Sequence, residues 1–189
     1  MIKLSQYPQT DYSEDLRKQI IALQSTAWPP TLGDEDKPWP GNPEIHISSF
    51  VLVDNDIAVS HVAIMGKNIT HKDHTYKAFG LGEVVTHPSC QKRGFGLQLI
   101  NMAGTFIENN EPDISIFTCK PSLIYFYAKG GWEYMKNTCL VGGTHDNPFR
   151  SDSLGLATMM HFYSDKAKEH RQDFENSDVY LELREKQLW

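Results

Sequence analysis

One segment constrains this chain more than any other: Val84-Val85-Thr86-His87-Pro88-Ser89-Cys90-Gln91-Lys92-Arg93-Gly94-Phe95-Gly96-Leu97. An apolar strand runs into a turn with two glycines two residues apart, preceded by polar and basic side chains. An amphipathic helix begins directly afterwards. Glycine lets backbone N–H groups turn inward and approach a ligand closely. The helix N-terminus adds partial positive charge, and Lys92 and Arg93 add full charges. Such a turn suits a phosphate or pyrophosphate. The same pattern reads equally as a plain strand-to-helix connection that uses glycine for packing. It is not a P-loop, because the only Gly-Lys pair, Gly66-Lys67, lacks a following Ser or Thr. Nor is it a dinucleotide fingerprint, because the third glycine is absent.

The rest of the pattern is that of an α/β domain. Residues 13–27 predict a helix capped by Ser13, with Glu14 and Asp15 in its first turn and Leu16, Ile20, Leu23 and Ala27 on one face. A proline-rich loop over 29–44 carries Asp34, Glu35 and Asp36, and loops this long are often functional. Strands are expected at 50–53, 57–65 and 78–86, with a hairpin turn at Asp54-Asn55-Asp56. The stretch 67–77 is polar and reads as variable. A helix over 94–109, a strand at 114–119 and a short helix at 122–129 follow, the last stopped by Gly130-Gly131. Strands are expected at 132–141, 154–162 and 179–186, with a helix at 165–171. Alternating strands and helices in a chain of 189 residues predict one domain.

Composition removes several function classes. The net charge is −6, against the clustered positive charge that nucleic-acid and anionic-membrane binders need. No apolar run approaches the ~18–20 residues of a membrane-spanning helix. The N-terminus shows no apolar signal segment. Three widely spaced cysteines, Cys90, Cys119 and Cys139, suit a reducing cytoplasm better than a disulfide framework. His71-x-x-His74 lacks an evident third metal ligand, so no metal is expected.

Gln91-Lys92-Arg93-Gly94-Phe95-Gly96 resembles the Q/R-x-x-G-x-G/A acetyl-CoA motif of the GCN5-related N-acetyltransferases (GNAT). The setting matches as well. Val84-Val85-Thr86 stands where that family has a V-x-V-like strand end, and about 30 residues later Tyr127-Ala128-Lys129-Gly130-Gly131-Trp132 matches its Tyr-before-glycine helix. Within the family, the 57–63 strand, the Tyr-Ala-x-x-Gly-Trp element, the loop around Asp152 and Trp189 look like the aminoglycoside 2′-N-acetyltransferases. The resemblance implies a mixed, mostly antiparallel sheet of six or seven strands, splayed after the fourth strand, with helices on both faces. It also implies acetyl-CoA/CoA as co-substrate, direct transfer to an amine, and a homodimer as the usual assembly.

The resemblance then distributes the chemistry. Glu83, on the strand leading to the turn, is the expected base, acting through a water; the same residue also reads as a strand carboxylate facing solvent or holding a Lys or Arg. In the aminoglycoside subfamily the matching Glu falls where this chain has Gly82, and a one-residue shift reverses the face. His61 and His87 are the other titratable candidates. Tyr127 is expected to protonate the leaving thiolate; it also reads as a buried core aromatic. Val84, Val85 and Thr86 would meet the pantetheine arm, with an oxyanion N–H near Val84 or Val85. Gln91, Lys92, Arg93, Gly94, Phe95, Gly96 and Leu97 would hold the pyrophosphate. Asp34, Asp36, Thr118, Asp152 and the carboxylate of Trp189 are the expected contacts of a small cationic amine, with an amino sugar the specific acceptor. Polyamines, amino acids and protein amines are other acceptors. A non-catalytic acyl-CoA-binding domain, or an unrelated α/β module, would keep the same turn.

Overall fold

A computed structural model describes residues 2–8, 13–28 and 39–189. Asp34, Glu35 and Asp36 lie outside the described residues. Seven strands are hydrogen-bonded in the order β1-β2-β3-β4-β5-β9-β6, and three more form a second sheet in the order β10-β7-β8. The chain divides into two compact units, Met1–Met65 with Leu81–Ala103, and Gly66–Gly80 with Gly104–Trp189.

In the first unit, β1 (Ile2–Tyr7) runs antiparallel to β2 (His46–Asp54), with Leu4 opposite Leu52 and Tyr7 opposite Ser49. β2 turns back antiparallel into β3 (Ile57–His71) through Asn55 and Asp56, both with positive φ, at 50° and 64°. That is the turn expected between 54 and 56, since Asn and Asp tolerate the left-handed region best after glycine. β1 was not expected. Its residues are exposed or half-buried without alternation, so it carries no period-2 signal. Helix α1 (Glu14–Ser25) is capped by Ser13, whose Oγ accepts the Leu16 N–H at 3.1 Å. Its Ile20 and Leu23 are buried in a cluster with Trp39, Val51, Val53, Ala58 and Val85. Burying a side chain the size of Ile20 is worth about 1.5–3 kcal/mol. The unit also takes the end of β4 (His74–Thr86) and the start of α2 (Phe95–Glu108).

In the second unit, the expected polar spacer at 67–77 is instead the tip of the long β3–β4 hairpin. Ile69, His71, Tyr76 and Ala78 are buried while Thr70, Thr75 and Lys77 between them are exposed. The polarity belongs to one face of the strands rather than to a loop. β4 runs parallel to β5 (Ile114–Cys119), but their register holds only at Ala78–Ile114 and Phe79–Ser115. β5 and β6 (Glu133–Met135) flank β9 (Ala157–Phe162), both antiparallel to it. The single strand expected at 132–141 breaks at Asn137, with φ +57°, into β6 and β7 (Cys139–Gly143). β9 begins three residues later than expected, because Asp152–Leu154 is a short 3-10 turn closed by Gly155 at φ +65°. β7 pairs antiparallel with β8 (Pro148–Arg150) and parallel with β10 (Asp178–Tyr180). The strand expected at 179–186 shortens to β10. Leu181 and Leu183 still donate to the carbonyls of Val141 and Gly143, but Glu182 between them has φ +50°. The two remaining helices are α3 (Ile124–Ala128) and α4 (Asp165–Glu169). All three cysteines are free and buried. Among the described residues, no helix is long and apolar enough to cross a membrane.

Candidate active site

Glu83 is the least ordinary residue of the first unit. It lies within β4 yet has φ +53°, a conformation that costs a non-glycine residue roughly 1–2 kcal/mol. The turn directs its carboxylate to the same side as Val85, toward α1. There Oε2 accepts Gln24 Nε2 at 2.6 Å and Trp39 Nε1 at 3.0 Å. Burial pushes the carboxyl above the usual glutamate range; the two hydrogen bonds, both from neutral groups, only partly offset it. Of the two orientations open to a strand residue, the structure takes the inward one.

The backbone of Glu83 is also held. Its carbonyl is 3.0 Å from Nδ1 of the fully buried His61, whose Nε2 lies 3.0 Å from Ser49 Oγ. Ser49 Oγ is in turn 3.0 Å from Nε2 of His46. Burial lowers the pKa of His61 to about 3 and that of His46 to about 4. His61 is therefore neutral and its imidazole is engaged at both nitrogens. His87 is exposed, with Nδ1 2.8 Å from Ser89 Oγ.

The turn after β4 is built around unspent donors. Lys92 and Gly94 have φ +61° and +85°. Gln98 N–H donates to the Gly94 carbonyl at 2.9 Å and opens the helical ladder. Among the described residues, the amides of 92–97 donate no hydrogen bond. A Cβ on Gly94 would meet nothing within 4 Å. Glycine is therefore needed there for its backbone angle, and the space over the turn is open. Gln91 Nε2 ties back to the Thr86 carbonyl at 3.2 Å, and Ser60 Oγ lies 2.7 Å from Thr86 Oγ1. The Arg93 guanidinium sits 4.7 Å from the Phe95 ring centroid, whereas Lys92 is exposed. Val85 and Phe95 are buried, and Val84, Gly96 and Leu97 half-buried. A run of free amides at a helix N-terminus, flanked by two cations, fits a pyrophosphate.

Tyr127 belongs to the second unit. Its ring is buried on α3, 4.8 Å edge-on from Phe117 and 5.0 Å from Phe126. Its hydroxyl has no hydrogen-bond partner among the described residues. Burial, with a smaller contribution from Cys119, pushes its pKa well up. It is a neutral donor with its proton uncommitted. Tyr125, two residues away, is 75% exposed and so faces elsewhere.

The other expected acceptor contacts are distributed as follows. Thr118 donates its N–H and its hydroxyl to the main-chain oxygen of Trp189, at 3.0 and 3.1 Å. Trp189 is buried, and a Cβ on Gly80 would meet its indole at 3.0 Å. Asp152 is paired with Arg150 at 2.9 Å, and Arg150 also holds Asp178 at 2.6 Å. Burial raises the Cys119 thiol to about 11, which leaves it a poor nucleophile. His71 Nε2 lies 2.8 Å from the Asp173 carbonyl. Among the described residues no three His, Cys, Asp or Glu side chains gather to hold a metal.

Gln24, Trp39, Ser49 and His46 were not among the residues singled out from the sequence. Gln24 and Trp39 meet Glu83 across 59 and 44 residues of chain. The one local trace is a tryptophan in a proline-rich loop.

The family model described as an acetyltransferase (GNAT) domain matches residues 10–135. No curated protein matches the chain. Among solved structures, Escherichia coli ElaA is similar at 15% identity and a TM-score of 0.59, over 85% of this chain and 99% of that one. An acyl-CoA N-acyltransferase from Pseudomonas aeruginosa is 11% identical with a TM-score of 0.57, over the same shares. A GNAT family acetyltransferase from Brucella melitensis, solved in complex with acetyl-CoA, is 14% identical with a TM-score of 0.53, over 70% of this chain and 83% of that one. With the family model spanning most of its length, from before α1 through β6, this chain belongs to the GNAT acetyltransferases.

Proposed function

We propose that this protein transfers the acetyl group of acetyl-CoA directly to a primary amine of a small cationic acceptor, with an aminoglycoside or related amino sugar as the leading acceptor. The observation that carries the reading is Glu83, half-buried, its carboxylate held by two neutral donors and its pKa raised. Raising the pKa of a carboxylate makes its ionised form a stronger proton acceptor, which is what an amine entering as an ammonium requires. Acetyl-CoA supplies the activated acyl group as a thioester. Glu83, directly or through a water, takes the proton that leaves the amine nitrogen as the N–C bond forms and the C–S bond breaks. The free amides of 92–97, with Lys92 and Arg93, are assigned to the pyrophosphate. A backbone N–H near Val84 or Val85 is assigned to the oxyanion. On the family pattern, the uncommitted Tyr127 hydroxyl donates the proton that the departing thiolate needs.

The acceptor assignment rests on the acidic balance of the chain and on the resemblance to aminoglycoside 2′-N-acetyltransferases. Asp152 contributes less charge to it than its type suggests, because Arg150 is already paired with it. The test is calorimetric titration of acetyl-CoA, followed by a free-thiol assay with aminoglycosides, polyamines and amino acids. Binding together with thiol release on an aminoglycoside supports the full reading. Release only on another amine keeps the activity and replaces the acceptor. Binding without turnover on any amine leaves an acyl-CoA-binding domain, and no binding makes the 91–96 turn structural.

A further inference from the structure

We propose that the buried series His46–Ser49–His61 is a positioning device for Glu83, a one-directional hydrogen-bond chain that holds the Glu83 carbonyl and so keeps the left-handed turn that sends its carboxyl inward. This rests on the assignment of Glu83 as base. Each link is within hydrogen-bond distance, at 3.0 Å from His46 Nε2 to Ser49 Oγ, from Ser49 Oγ to His61 Nε2, and from His61 Nδ1 to the Glu83 oxygen.

The chemistry of the groups permits one order of protons. A carbonyl oxygen only accepts, so His61 Nδ1 carries a hydrogen. His61 is fully buried and no carboxylate is bonded to it, so it is neutral and its Nε2 is bare. The Ser49 hydroxyl must then donate to that nitrogen. With its hydrogen spent, Ser49 Oγ accepts from His46, whose Nε2 carries the hydrogen. His46 Nδ1 is left as a bare lone pair, and it is buried with no donor among the described residues. The rings are held in place by Trp39, 5.5 Å from His46 and 5.8 Å from His61, and by Tyr7, 5.8 Å from His46.

Free imidazole in water favours a proton on Nε2, so this arrangement forces His61 into the less common tautomer. Glu83 pays for its φ of +53° only while something compensates it. The His61 N–H is such a compensation, bonded to the very peptide that is turned. Trp39 joins the two layers, since its ring packs on both histidines while its N–H reaches the Glu83 carboxylate.

Nitrogen-resolved NMR of the histidine rings in the intact protein tests the proton order. The expected spectrum near neutral pH has His61 as the Nδ1–H form and His46 as the Nε2–H form, both uncharged. An Nε2–H or doubly protonated His61 overturns the proposal. Kinetics test the consequence. His61→Leu removes the donor, whereas the amide of His61→Asn stands near the place of Nδ1 and can still serve the carbonyl. The Leu variant is expected to lose roughly 10- to 100-fold in kcat, as small misplacements of a reacting group do. Its acetyl-CoA affinity should stay within about twofold, and the Asn variant should recover most of kcat. Equal kcat in wild type and both variants overturns the proposal. If the Leu variant does not fold, Ser49→Ala replaces it. Loss of its donor should leave the His61 Nδ1–H form in place, loosen the ring at Nε2 and lower kcat, and an unchanged kcat overturns the idea. Glu83→Gln separates the two layers. A fully active Glu83→Gln sinks the base assignment and this proposal with it. An inactive Glu83→Gln beside a fully active, folded His61→Leu sinks the positioning chain alone.

Discussion

Glu83 and Asp113 are both carboxylates that the fold draws out of water, one in each unit, and they are solvated in opposite ways. Asp113 faces a cation: its Oδ2 accepts the Lys77 N–H at 2.8 Å and Lys166 Nζ at 3.0 Å, and its Oδ1 accepts Ser164 Oγ at 2.7 Å. Burial pushes Asp113 up, but Ser164, the Lys77 amide and Lys166 together outweigh it and hold the group below the usual aspartate range. Glu83 receives only the neutral N–H groups of Trp39 and Gln24 and stays above its usual range. One carboxylate is fastened as an anion that ties the β3–β4 hairpin tip to α4. The other is kept at a cost in stability and remains able to exchange a proton. Two things make the difference: Glu83 loses more to burial, and its donors are neutral where Asp113 has a cation.

The largest expected effect tests the function of that difference. Glu83→Gln should lower kcat by about 100- to 10,000-fold with acetyl-CoA affinity unchanged by calorimetry. It should leave the urea midpoint at pH 7 unchanged or raised, because it removes a buried charge. The comparison breaks if turnover survives.

Asp113→Asn should do the converse. Turnover should hold while stability in urea falls by about 1.5–3 kcal/mol, the usual size of hydrogen bonds to a charged group. The two sites also have opposite pH signs. Asp113 has a lowered folded pKa, so its contribution is complete above the ordinary aspartate value and fades as pH falls through the folded one. The gap between wild type and Asp113→Asn should therefore close in acid. Glu83 has a raised folded pKa, so its penalty is absent below the ordinary glutamate value and grows as pH rises through the folded one. Glu83→Gln should therefore gain on wild type as pH rises.

Gly94→Ala separates binding from proton transfer within the first unit. A side chain at φ +85° costs roughly 1–2 kcal/mol, so acetyl-CoA affinity should fall by about tenfold, measured by titration, with the pH dependence of kcat retained. The smallest expected effect sharpens the comparison most. Trp39→Phe removes one neutral donor from the Glu83 carboxylate, which favours its protonated form still further. The acid limb of kcat/KM should move to higher pH, and a shift to lower pH would contradict the account of Glu83.

Much of this architecture could be read from local signals. Gly94 at φ +85° marks the turn into α2, Gly131 at φ +98° follows α3, and Asn55-Asp56 closes the β2–β3 hairpin, because each is a backbone requirement met by residues at that spot. What local signals miss is what distant residues decide. Strand alternation assigns Glu83 no reliable face, since its φ of +53° interrupts the period on which alternation depends. Its partners come from α1 and from the loop before β2, and no spacing rule links them. β6, β8 and β10 have three residues each, too short to show a period. Asp152 has the right type for an acceptor contact, but a sequence does not reveal that Arg150 folds onto it.

The burial of the cysteines has a practical side. Cys90, Cys119 and Cys139 are 9%, 5% and 5% exposed. A chromogenic disulfide reagent in the assay mixture should therefore find few protein thiols while the fold is intact, and its colour should track released CoA. Signal in a blank without acceptor then becomes a built-in alarm for unfolding, read in the same cuvette as turnover.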